Sequence, residues 1–154
     1  MRGYVNTSHG QVHYIESGSG RAVVMLHMTP SSSWDYGVTV PLLGTQYRAI
    51  AMDTLGYGQS DKPARRYELE DYAHSVIEVL DALQIKQAAL VGHATGAVIA
   101  AEVAAGQPSR VHTLVLVDYP LYSRHMLSER KHAEVYVPNV EPLRLDTSGS
   151  YMIA

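Results

Sequence analysis

The chain has 154 residues, 46% of them hydrophobic and 18% charged, which favours one globular domain with a core and excludes disorder by composition. Twelve basic and fifteen acidic residues give a formal net charge of −3, which argues against a nucleic-acid binder held by counterion release. The absence of Cys excludes disulfides, thiolate catalysis and Cys-based metal centres.

Residues 11–17 alternate in polarity and read as a strand, with residues 4–7 as its hairpin partner across Ser8, His9 and Gly10. Residues 22–27 form a short apolar run bounded by turn residues, the pattern of a buried parallel strand. Pro30 and the three serines at 31–33 suit a loop and an N-cap before a short helix over 34–43. A second buried strand, 47–52, ends at Asp53 and leads to a glycine-rich loop at 56–60. The clearest helix covers 68–83, where Leu69, Tyr72, Ala73, Val76, Val79, Leu80 and Leu83 recur at three- and four-residue steps. A third buried strand at 88–91 is followed by a turn at 92–96 and an Ala/Val-rich helix over 97–105, stopped by Gly106 and Pro108. The fourth buried strand, 111–117, ends at Asp118. Beyond Tyr119 the alternation dissolves: residues 123–135 read as a polar helix and residues 138–154 show no period. The repeat of strand and helix predicts an α/β three-layer sandwich, a mainly parallel sheet with helices on both faces. No apolar run reaches membrane-spanning length, and residues 1–10 lack the apolar stretch of a signal peptide, so a cytoplasmic chain with no membrane partner is expected.

Gly92-His93-Ala94-Thr95-Gly96 lies between a predicted strand and a predicted helix, the setting of a G-x-S-x-G turn. Glycines at both ends permit a tight turn whose central side chain stands above the sheet, beside free N–H groups at the helix start. Ala94 fills the nucleophile's slot. Leu26-His27-Met28-Thr29-Pro30 resembles an H-G-x-P loop, with Met28 in place of Gly. Asp53-Thr54-Leu55-Gly56-Tyr57-Gly58-Gln59-Ser60-Asp61 resembles a D-x-x-G-x-G-x-S-D loop, and residues 114–120 resemble the strand that follows the elbow helix. Four matches in order make the chain similar to the N-terminal part of an α/β-hydrolase.

The resemblance implies an α/β-hydrolase fold with its C-terminal strands missing. Residues 1–120 would be the N-terminal part of the core and residues 121–154 the start of a cap. It implies hydrolysis of a small organic substrate at an ester, epoxide, carbon–halogen or related bond, with no cofactor and no metal. Backbone N–H groups of Thr29 and Thr95 would be the oxyanion donors, and His27, Met28 and His93 would border the pocket, His27 as a buried histidine that braces the loop carrying Thr29. Ala94 carries no nucleophile, and the segment that carries the family's catalytic His would lie beyond residue 154, so the chain is expected to be inactive alone. Asp118 reads as a structural strand end, the alternative being the acid partner of a catalytic His. Asp53 reads as the tie of its own loop. His125 and His132 could share a helix face, but no third ligand matches them, and a solvated cap helix is the simpler reading. A Rossmann loop at Gly56 and Gly58 lacks its third Gly and its helix. The rival function is a non-catalytic small-molecule binder that keeps the pocket and drops the chemistry. Missing strands would also expose a sheet edge, through which self-association is expected.

Overall fold

The structure, a computed structural model, describes residues 1–120. Strands β1 (Arg2–Thr7) and β2 (Gly10–Ser17) form an antiparallel hairpin with Val5 opposite Val12. Gly10, at φ 134°, supplies the turn conformation that an L side chain resists. β3 (Ala22–Leu26), β4 (Arg48–Met52), β5 (Ala88–His93) and β6 (Val111–Val117) complete a six-stranded sheet in the order β1-β2-β4-β3-β5-β6. β1–β2 and β2–β4 pair antiparallel, and every later pair is parallel.

The period of two along each strand divides the core between the faces. Val24 and Leu26 join Ile50, Met52 and Leu90 beneath helices α2 (Leu69–Ala82) and α3 (Thr95–Gly106). Met25 points the other way, joining Ala49 and Ala51 under Val40 of the short helix α1 (Thr39–Leu43). Helices on both faces give the three-layer sandwich. The Asp71 carboxylate accepts the Glu68 N–H at 2.9 Å, satisfying a donor that α2 leaves free at its start.

Four local expectations are corrected. The helix expected over 34–43 is split into a 3-10 turn, Ser33–Tyr36, and α1. Pro41 has no N–H to donate back, so it is tolerated only in the first turn of a new helix. β5 runs on through Gly92 and His93, and α3 starts at Thr95, so the turn between them is the single residue Ala94. In β2 the alternation fails: Val12, His13 and Tyr14 are all buried, because the loop after β4 hydrogen-bonds across His13. β6, read as a buried strand by its apolar run and as an open edge by the resemblance, lies at the sheet edge among the described residues, with Leu114, Val115, Leu116 and Val117 exposed by 37% to 46%.

Candidate active site

Ala94 sits at φ 48° and ψ −109°, a conformation uncommon for a residue with a Cβ. Three contacts hold it there. Its N–H donates to the Val117 carbonyl at 2.9 Å, and its own carbonyl accepts from Ala97 at 3.0 Å and from Val98 at 3.3 Å. Gly92 and Gly96 let α3 fold back onto the sheet. A Cβ on Gly92 would overlap the Gly96 carbonyl, and one on Gly96 would overlap the Leu26 carbonyl and reach within 2.7 Å of the His27 oxygen. The start of α3 is thereby pressed against the end of β3. Thr95, first residue of α3, is exposed, and its N–H lies in the turn that has no intrahelical acceptor.

Beside this turn, Met28 and Thr29 leave β3 half-buried. His27, 1% exposed, anchors them. Its Nδ1 faces the Met28 carbonyl at 2.7 Å and must carry the proton, since a carbonyl only accepts. Its Nε2 accepts the Thr54 N–H at 3.0 Å and lies 3.1 Å from the Thr54 hydroxyl. Burial holds the His27 pKa below the usual imidazole range, against the opposing pull of the Met28 carbonyl and the Asp53 and Asp35 charges. The ring is neutral and both nitrogens are committed.

The loop from Asp53 to Asp61 is stitched around one carboxylate. Asp53 accepts N–H groups of Ser33 and Gln59 and the His13 Nδ1–H, the last at 2.9 Å. Burial alone would raise its pKa, but these hydrogen bonds outweigh burial and hold the carboxyl below its usual range. Gly58, at φ 54°, is required because a Cβ there would overlap Asp53 Oδ2. Ser60 donates its hydroxyl to the Asp53 carbonyl at 2.7 Å and accepts the His13 N–H at 2.9 Å.

Residues 21–141 match the alpha/beta hydrolase fold family. That span is most of the chain. The chain belongs to the alpha/beta-hydrolase family.

Among curated relatives, it is 30% identical over 147 residues to bifunctional epoxide hydrolase 2 of Sus scrofa, covering 93% of this chain and 24% of that protein. It is 37% identical over 107 residues to a haloalkane dehalogenase of Mesorhizobium japonicum, covering 69% of this chain and 35% of the other. A solved structure, a serine-to-alanine mutant of a meta-cleavage product hydrolase from Pseudomonas fluorescens IP01 complexed with acetates, superposes with a TM-score of 0.69. It is 28% identical, with 73% of this chain and 43% of that one covered. The chain thus spans less than half the length of each of these proteins.

The fold gathers the hydrolase-motif residues at the carboxyl ends of the parallel strands. Leu26 is in register with Gly92, and His93 with Val117, so the residues that follow β3, β5 and β6 leave the sheet at one level. Asp118 follows β6 at φ 51°, exposed, beside the residue whose carbonyl holds Ala94. His27, expected both as the brace of the loop carrying Thr29 and beside the pocket, is buried, its ring enclosed by the Met28 and Thr54 bonds. The serines act as caps and ties: Ser32 accepts the Trp34 N–H at 3.3 Å, and Ser31 donates to Asp35 at 2.6 Å. His125 and His132 lie outside the described residues. The sequence did not single out His13 or Thr54, one being an outward position of an alternating strand, the other an unspecified position of the D-x-x-G loop.

Proposed function

We propose that the Ala94 turn is the nucleophile elbow of a hydrolase site that keeps its electrophile-binding half and has no attacking atom. Thr29 and Thr95 supply the oxyanion donors through their backbone N–H groups, and Met28 and His93 border the mouth. The substrate class is a small organic molecule with an ester, epoxide, carbon–halogen or related bond; the relatives' names support the epoxide and the carbon–halogen bond. The observation that carries this reading is the backbone of Ala94, at φ 48°, held between Gly92 and Gly96, where a Cβ would overlap backbone. Backbone strain of this kind costs about 1–3 kcal/mol and persists where the surroundings over-determine it, most often at active sites. An N–H pair beside it would stabilise a developing oxyanion.

The Ala94 side chain has no lone pair, so no covalent intermediate forms on it. Burst-phase kinetics on an activated acyl ester test this. We expect no stoichiometric burst from the chain, and at most slow turnover above buffer. A burst from the unmodified chain would sink the reading. Ala94→Ser restores a hydroxyl, yet His27 has both nitrogens committed and His13 is buried against Asp53, so no burst is expected there either.

A second reading, a silent binder, draws on the same alanine: a methyl group leaves the two N–H donors free for a bound carboxylate. The related serine-to-alanine mutant was solved with acetates, which makes acetate a fitting probe. Saturable acetate binding at the Thr29 and Thr95 amides without ester turnover would favour it. The exposed apolar residues of β6 add a proposal of self-association through that edge.

A further inference from the structure

We infer that Thr54 is a positioning residue for the oxyanion arm: it fixes His27 as the neutral Nδ1–H tautomer, and that ring orients the Met28–Thr29 peptide. The inference rests on the reading of Thr29 as an oxyanion donor.

Three links carry it. The His27 Nδ1–H donates to the Met28 carbonyl at 2.7 Å. Nε2 therefore holds the lone pair, and both the N–H and the hydroxyl of Thr54 converge on it, at 3.0 and 3.1 Å. A proton on Nε2 would meet the Thr54 N–H donor to donor, so the other tautomer and the imidazolium are both disfavoured. The Met28–Thr29 peptide is trans, the cis bond being the next one, Thr29–Pro30. In a trans peptide the C=O and N–H point opposite ways. Holding the Met28 carbonyl to His27 consequently directs the Thr29 N–H away from the ring.

Thr54 is 3% exposed, so water does not readily replace its hydroxyl, whose partner among the described residues is His27. The local turn does not need that hydroxyl: it is closed by the Thr54 carbonyl, which accepts the Tyr57 N–H at 3.0 Å. The hydroxyl is thus spare for the ring.

Nitrogen-15 NMR of the His27 imidazole, with the Thr29 and Thr95 amides followed during acetate titration, tests this in the full chain, Thr54→Val and Thr54→Ser. In the unmodified chain we expect a protonated Nδ1 and an unprotonated Nε2. Thr54→Val keeps the backbone donor and loses the hydroxyl. It should move the Nε2 resonance and the Thr29 amide and weaken acetate binding about fivefold, the scale of one net hydrogen bond. Thr54→Ser should restore all three.

A proton on Nε2 in the unmodified chain would overturn the inference even if Thr54→Val did not fold. So would a Thr54→Val protein whose ring and Thr29 amide stay in place, or a Thr54→Ser protein that fails to recover. If acetate moves neither Thr29 nor Thr95 in the unmodified chain, the oxyanion reading fails, while the ring and the Thr29 amide still decide the role of Thr54.

Discussion

Gly96 and Gly56 are both glycines of the motif loops, and the structure separates their reasons. A Cβ on Gly96 would strike backbone of β3, which cannot yield, so Gly96→Ala should cost about 3 kcal/mol, within the range of overpacked cores, in urea unfolding. Gly56 has open space around it and only its φ of 91° to justify it, so Gly56→Ala should cost about 1 kcal/mol. Equal losses would show that close approach does not shape the Ala94 turn. Ala94→Gly relieves the strained φ at the expense of chain entropy, and a net gain of about 1 kcal/mol is expected. A loss would show that the turn stores no strain. His27 sets a pH dependence. Its folded pKa lies below its unfolded one, so the unfolded chain binds more protons as acid is added. The His27 contribution is fully present above roughly pH 6.5 and is lost as pH falls through the folded value. The urea midpoint should be flat above that point and decline below it, and a midpoint that rises on acidification would contradict the neutral, buried ring.

At the scale of elements, the face under α1 is thin. Its buried cluster is Met25, Val40, Ala49 and Ala51, supplemented by half-buried Tyr36 and Leu43. Tyr36 fastens this layer with a polar tip: its hydroxyl donates to the Leu26 carbonyl at 3.0 Å, at the end of β3. Burial, reinforced by Asp35, pushes its pKa up to about 12, so the hydroxyl remains a donor across the working pH range. Tyr36→Phe should lower stability by about 1 kcal/mol with little change in shape. An unchanged denaturation midpoint would mean that the bond contributes nothing net. The opposite face needs no such fastening, because α2 and α3 bury Val76, Val79, Leu80, Ile99 and Val103 there.

For the whole molecule, the described residues leave β6 with one strand neighbour and four successive apolar side chains partly exposed. An edge of that kind is a template for another strand. Sedimentation of the chain at increasing concentration should reveal self-association. Val115→Lys, which puts a charge on the edge, should suppress it. A strictly monomeric chain at high concentration would refute the edge proposal. No described helix is long and apolar enough to cross a membrane.

The order of strands and helices was readable because hydrophobic period and turn chemistry act locally: Leu69 to Leu83 repeat as a helix wherever they are, and Gly106 and Pro108 end one. The motif loops were readable for a related reason, since glycines and short polar side chains at fixed spacing prescribe backbone shape. Asp53 as the tie of its loop followed from its place at a strand end. Tertiary structure decided what depends on neighbours far along the chain. The turn shrank to Ala94 alone because α3 packs against the end of β3, about seventy residues earlier, a contact that only Gly92 and Gly96 permit. His13 became buried because the loop at Ser60 crosses it, 47 positions on. Thr54 gained a partner in His27 across 27 positions, from a place in the motif that admits any residue. Local sequence sets the propensity of each element, but burial and hydrogen-bond partnership are properties of pairs, and pairs form only when the sheet closes.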